Sequence, residues 1–318
     1  MRTLLLAITL LLLHPAFAAD SAWTERPDTL HTATGDLYGT LMMPLKAKGK
    51  VPVALIIAGS GPTDRDGNTT VLPGKNNSLL YLARELATAG IATLRYDKRG
   101  IAASAGAGVK EADLRFDQYV TDAAAWLDRL KSDRRFARVA VIGHSEGSLI
   151  GMLAAPGRAD HVISLAGAGI PADSLLRKQL APQLPEKLKE AAWTTLDSLK
   201  AGHLVKQPPI LLLSLFRPSV QPYLVSWFRH DPREAIAALR VPVLIVQGDN
   251  DLQVSVSDAE SLRAAAPKAQ FVLVKGMNHV LKLVESNDPQ ANQKSYSDPT
   301  LPVAPQVIPA IVAFIRKP

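Results

Sequence analysis

The chain has 318 residues, 47% hydrophobic and 20% charged, with no cysteine and a formal net charge of +7. That composition supports a large buried core and excludes a disordered chain, a thiol nucleophile, a thiolate metal site and a disulfide scaffold. The densest basic groups (Arg95, Lys98, Arg99; Lys131, Arg134, Arg135) are interrupted by other residues, which points to a solvated basic surface and no nucleic-acid partner.

In chain order, Met1-Arg2 precedes an almost wholly apolar run, Thr3 to Leu13, which Pro15 ends before Ala16-Phe17-Ala18. The run is too short to cross a bilayer core of about 30 Å, and it reads as a secretory signal over 1–18. The remainder, 19–318, is then expected to be exported, periplasmic or secreted, with no stable membrane span after cleavage. Residues 28–44 read as an antiparallel hairpin around Thr34-Gly35-Asp36. Val51 to Ala58 reads as a buried strand ending in the turn-rich Gly59-Ser60-Gly61-Pro62. A helix over 76–90, a strand over 91–95 and a helix over 116–130 follow. A strand over 138–142 runs through Gly143 into another helix, and 161–165 is the next strand.

Strand signals then stop. Leu175 to Lys200 reads as amphipathic and helical, and 208–228 is apolar and rich in proline and aromatic residues. Strands over 241–246 and 271–274 and a terminal helix over 307–315 complete the chain. Apolar runs alternating with amphipathic stretches predict an α/β fold, a mostly parallel sheet covered by helices on both faces. The helical insertion at about 170–239 falls past the carboxyl ends of the strands, where such sheets bind ligands, and is expected to cap the site.

The chemistry is concentrated in Gly143-His144-Ser145-Glu146-Gly147. A strand precedes this motif and a helix follows it, the context in which a sharp turn lifts a serine hydroxyl clear of a sheet. A serine nucleophile needs a base. Of the seven histidines, His14 lies in the signal and His31 in the hairpin, and His161 begins a strand. His203 and His230 lie in the insertion, and His144 is expected to point away from its neighbour Ser145. His279, directly after the last strand, is left. The acid that orients it is expected after the preceding strand, at Asp251, with Asp249 in reserve. The order Ser, Asp, His is that of the strand–turn–helix hydrolases. The N–H of Glu146 and that of Ser60, or of Gly61 instead, are the expected oxyanion donors. Asp64-Arg65-Asp66-Gly67-Asn68 lacks calcium-loop spacing and is expected to be structural, with no metal. Tyr96-Asp97-Lys98-Arg99-Gly100 reads as a hydrogen-bonded corner outside the site.

With Gly248-x-x-Asp251 and Asn278-His279, the serine motif resembles the α/β-hydrolase superfamily. GSGPTDRDGN (59–68), YDKRG (96–100), QPYLVSWFRHDP (221–232) and GDNDLQV (248–254) are similar to bacterial esterases grouped with serine aminopeptidase-like hydrolases. The resemblance implies a cofactor-free carboxylesterase acting on small-molecule esters with short acyl chains, through an acyl-enzyme. Ala58 before Gly59 departs from the His-Gly form common in the superfamily. The alternatives are a serine peptidase or aminopeptidase, or an acyltransferase, with the same triad. In a peptidase cutting from the amino end, Asp64, Asp66 or Glu146 would hold the substrate ammonium. An inactive binding protein on the same fold is the third reading.

Overall fold

The computed structural model describes residues 22–317, except 72, 109 and 285–287. The expected signal segment lies outside the described residues. Strand β1 (Trp23–Thr32) pairs antiparallel with β2 (Gly35–Pro44) through the two-residue turn Ala33-Thr34. Gly35 sits at φ +132, and a Cβ there would stand 2.9 Å from the Ala107 Cα. The next strands are β3 (Val51–Ile57), β4 (Ala92–Tyr96) and β5 (Phe136–His144). They are followed by β6 (His161–Leu165), β7 (Val243–Gly248) and β8 (Gln270–Val274). The eight form one sheet in the order β1-β2-β4-β3-β5-β6-β7-β8, parallel from β4 to β8, with β2 joined to β4 antiparallel.

The unbroken apolar runs of β3 and β5 follow from burial on both faces, as parallel sheets require. Val53, Leu55 and Ile57 enter one core, and Ala54, Ile56 and Ala58 the other, the period of two expected of a strand. The second core lies under α1 (Ser78–Thr88) and α11 (Val307–Arg316). Val307, Ile311, Phe314 and Ile315 put one buried stripe on α11, each worth about 1.5–3 kcal/mol of burial. The first core lies under α2 (Phe116–Ser132), α3 (Glu146–Ala154) and the insertion.

The insertion between β6 and β7 contains α4 (Ala172–Leu180), α5 (Glu186–Lys200), α6 (Leu213–Phe216), α7 (Gln221–Trp227) and α8 (Pro232–Ala237). The helical stretch expected over 175–200 is made of two helices, α4 and α5. Pro182 and Pro185 each remove a donor and clash with a continuing helix, so the chain breaks between them. A further helix, α9 (Val256–Ala265), bridges β7 and β8. Its start carries a reciprocal cap between Ser255 and Asp258, a signal that was readable in the sequence. Helix α10 (Pro289–Lys294) precedes α11. Among the described residues, no helix is long and apolar enough to cross a membrane.

Parallel strands bring the chain segments that leave β3, β5, β7 and β8 to one edge of the sheet. Ser60, Ser145, Asp251 and His279 follow those four strands.

Candidate active site

Ser145 sits between β5 and α3 at φ 55, ψ −120, a backbone region costly for any residue with a side chain. Its N–H is anchored to the Leu165 carbonyl of β6 at 2.9 Å. The flanking glycines are sterically compelled. A Cβ on Gly143 would lie 2.1 Å from the Gly147 carbonyl oxygen, and one on Gly147 would lie 2.4 Å from that of Ile57. Strand, helix and the neighbouring strand therefore close on the serine only if both positions lack side chains.

His279 is held from several sides. Its Nδ1 is 2.8 Å from Asp251 Oδ2, and the imidazole and carboxyl are 5% and 1% exposed. The Asp251 Oδ1 accepts the N–H groups of Gln253 and Val254 at 2.8 and 2.9 Å. Gln247 Nε2 reaches Oδ2 at 3.2 Å. Burial pushes the Asp251 carboxyl up, but the His279 imidazole and the two amides outweigh it and hold it below the ordinary carboxylate value. An ionised Asp251 fixes the proton of His279 on Nδ1 and leaves the Nε2 lone pair free to act as a base. Asp249, the reserve, accepts instead from the Gly276 N–H at 2.6 Å and ties the two loops together. Gly248 lets those loops touch, since a Cβ there would be 1.9 Å from the Met277 carbonyl.

His144 departs from expectation. Its ring does not point away but packs on His279, with centroids 4.8 Å apart. Its Nε2 lies 2.7 Å from the His279 carbonyl, which can only accept, so His144 donates. Burial, then the neighbouring His279, lowers its pKa to about 4, and the ring stays neutral. The residue beside the serine thus props the backbone of His279. The Ser145 hydroxyl makes no hydrogen bond among the described residues. A Cβ built on Gly59 would meet both Ser145 Cβ (3.2 Å) and His144 Nδ1 (3.3 Å), so the loop after β3 packs tightly against the serine turn.

Ser60, Gly61, Ser145 and Glu146 line a cavity of about 520 Å³. Its wall is mainly apolar and includes Leu175, Leu224 and Trp227 from the insertion. The N–H groups of Ser60 and Glu146 donate to no acceptor among the described residues. At Glu146 that follows from its place as the first residue of α3. The Asp64 carboxylate is spent on the N–H groups of Asp66 and Asn68, both at 2.9 Å. Asp66 pairs with Arg95 at 2.8 Å.

The segment 96–100 is only partly the expected corner. Asp97 binds Arg65, and Arg99 binds Asp122, each at 2.6 Å. Lys98, however, reaches the site. Its Nζ is 2.6 Å from both the Gly59 carbonyl and Glu146 Oε2, and Tyr223 of α7 hydrogen-bonds Glu146 Oε1. Sequence reasoning left out Lys98 and Tyr223. The available signal was a lysine two residues past a wholly buried strand, where a buried ammonium must find partners.

With that geometry in hand, likenesses to known proteins can be placed. The family described as serine aminopeptidase, S33, matches residues 75–210, a stretch that holds the serine motif but ends before Asp251 and His279. Esterase EstD of Thermotoga maritima is 28% identical over 247 residues, which are 77% of this chain and 56% of that protein. The chain thus spans little more than half the length of this curated relative. A structure of Est1E from Butyrivibrio proteoclasticus with ferulic acid bound superposes with a TM-score of 0.61. It is 21% identical and covers 89% of this chain and 96% of that one. A thermophilic esterase from Thermogutta terrifontis gives a TM-score of 0.54 at 16% identity, over 92% and 98%. The structural likenesses are of fold.

Proposed function

We propose that this chain, an esterase-like α/β hydrolase, is an exported carboxylesterase that cleaves short-acyl esters through Ser145, His279 and Asp251. The observation that carries the reading is the juxtaposition at one sheet edge. A serine held in a costly backbone conformation and an imidazole whose Nδ1 is committed to a buried carboxylate follow strands that end at one edge of the sheet, and the serine lines a mainly apolar cavity.

In the proposed reaction, His279 Nε2 takes the Ser145 proton as the hydroxyl oxygen attacks the ester carbonyl. The carbonyl oxygen becomes an oxyanion facing the N–H groups of Ser60 and Glu146, and the α3 N-terminus adds its dipole. Collapse of this intermediate breaks the ester C–O bond, and His279 returns the proton to the alcohol. Water repeats the sequence on the acyl-enzyme and releases the acid. Asp251 stabilises the imidazolium in each half. The insertion covers the acyl side of the cavity and sets chain length, while the apolar run and Ala16-Phe17-Ala18 mark the chain for export.

An ester is favoured over a peptide with a free amino end because the acids that would bind an ammonium are taken. Asp64 is bound by backbone amides, Asp66 by Arg95, and Glu146 by Lys98 and Tyr223. The test is fluorophosphonate labelling, followed by p-nitrophenyl esters of increasing acyl length against aminoacyl-nitroanilides. Labelling that is lost in Ser145→Ala, with turnover of short esters, is expected. An unlabelled wild-type protein would point to an inactive binding protein, and preferred nitroanilide cleavage to a peptidase.

A further inference from the structure

Lys98 is an unusual residue for its place. It lies two residues past the end of β4 and its side chain is 1% exposed, as is that of Glu146. Its ammonium is partnered on several sides. One N–H goes to the Gly59 carbonyl and one to Glu146 Oε2, each at 2.6 Å, and the ammonium lies 4.9 Å from the centre of the Tyr119 ring. A buried ion pair replaced by apolar residues is often no less stable, so burial alone does not account for a lysine here. What an apolar residue could not supply is the bond to Gly59.

That bond has a geometric consequence. No cis peptide occurs among the described residues, and in a trans peptide the C=O and N–H point in opposite directions. An ammonium gripping the Gly59 carbonyl from within the protein therefore turns the Ser60 N–H outward, into the cavity that Ser60 and Ser145 both line. Gly59 itself abuts Ser145, its built Cβ 3.2 Å from Ser145 Cβ. Without the grip, the peptide between Gly59 and Ser60 is free to rotate its N–H away.

The grip is itself braced from the insertion. Tyr223 of α7 donates to Glu146 Oε1. Burial, and then the charge of Glu146, holds its phenol well above the ordinary value, so it remains a donor. The brace runs from α7 through the Glu146 side chain to Lys98 and on to Gly59.

Resting on the serine-hydrolase reading above, we propose that Lys98 is a positioning residue that sets the oxyanion pocket by orienting the Ser60 N–H, and that Tyr223 and Glu146 couple this setting to the seating of α7. Lys98 touches no reacting atom. Its effect is confined to states that carry an oxyanion, so its loss lowers kcat and leaves KM nearly unchanged.

The test compares wild type, Lys98→Met, Tyr223→Phe and the charge-neutral double variant Lys98→Met with Glu146→Gln, which spares the fold a lone buried carboxylate. Each is assayed for ester turnover and thermal unfolding. Each is also titrated with a trifluoromethyl ketone, which forms an oxyanion adduct with the serine, and with the matching secondary alcohol, which cannot. In the folded double variant, kcat is expected to fall roughly 100-fold, the scale of one lost oxyanion donor, with KM within about threefold. The ketone's inhibition constant should rise in step while the alcohol's stays put. Tyr223→Phe should show the same pattern with a smaller loss. Recovery of wild-type kcat in the double variant would overturn the proposal, since Lys98 would then serve only to neutralise Glu146. Equal weakening of ketone and alcohol would also overturn it. A wild-type protein inert to fluorophosphonate and ketone alike would instead sink the hydrolase reading beneath it.

Discussion

Asp251→Asn is a near-isosteric change whose outcome is dictated by the partners already in place. Asp251 Oδ1 accepts two backbone N–H groups, from Gln253 and Val254, at 2.8 and 2.9 Å. Those donors cannot turn away, so the single carbonyl oxygen of an asparagine must face them, and its NH2 must face His279 Nδ1. An NH2 in that position donates, which makes Nδ1 an acceptor and moves the imidazole proton to Nε2. The base then presents a proton to Ser145 where it needs a lone pair. In a Ser-His-Asp site this inversion costs kcat on the order of 10⁴-fold, or about 5.5 kcal/mol of barrier. The fold should tolerate the exchange, because both amides keep an acceptor. Asp249→Asn is the control: its oxygen can still accept the Gly276 N–H, now 2.6 Å away, and activity should stay within about threefold. The assay is p-nitrophenyl ester turnover normalised to active sites, with circular dichroism to establish folding. An Asp251→Asn protein that is folded and within tenfold of wild type would refute the assigned roles.

Three further outcomes follow from the same geometry. Ser145→Gly should be more stable than Ser145→Ala by about 1 kcal/mol in urea denaturation, because glycine adopts φ 55, ψ −120 without the 1–3 kcal/mol strain a side chain incurs; equal midpoints would show the turn to be unstrained. His144 has a folded pKa of about 4 against about 6.5 unfolded. The unfolded chain therefore binds the extra proton between those values, and stability is lost as pH falls from about 6.5 to 4, by ~3 kcal/mol from this group. His144→Gln should flatten the stability–pH curve in that window, and an unchanged curve would place the ring outside the folded-state linkage. Gly143→Ala should yield no folded protein on purification, since its Cβ would fall 2.1 Å from the Gly147 carbonyl oxygen; a cooperative thermal transition near that of wild type would contradict it.

Much of the scaffold could be read from local pattern, because buried parallel strands announce themselves as apolar runs. His161–Leu165 falls where its apolar run does, and Val51–Ile57 and Phe136–His144 lie within a residue or two of it. Ser145, Asp251 and His279 could be nominated because each lies in the segment that follows such a strand, and parallel pairing brings those segments to a common edge. Asp251 could be preferred to Asp249 by its distance from Gly248, and the bond to His279 agrees with that choice. What local pattern missed depends on three-dimensional neighbours. Nothing adjacent in sequence tells Lys98 that it will meet Gly59, Glu146 and Tyr223. The direction of the His144 ring depends on where the loop after β8 comes to rest. Helix α9 leaves little local signal because its buried residues, Ala259 and Leu262 with Asp258, form no clear apolar stripe.

Besides ion pairs such as Lys178–Asp258 and Arg217–Glu111, the insertion is fastened to the sheet domain by an aromatic cluster. Phe116 of α2 stacks on Trp227 of α7 at 5.8 Å and nearly parallel, and Tyr119 meets Tyr223 edge-on at 5.8 Å. The Phe116 N–H is held by Ser226 at 2.8 Å. Ile210 and Leu211, by contrast, face solvent, 82% and 80% exposed. Exchanges confined to these two side chains should therefore change the outer surface of the insertion while leaving the aromatic weld undisturbed, which makes that short arc the natural place to diversify a library.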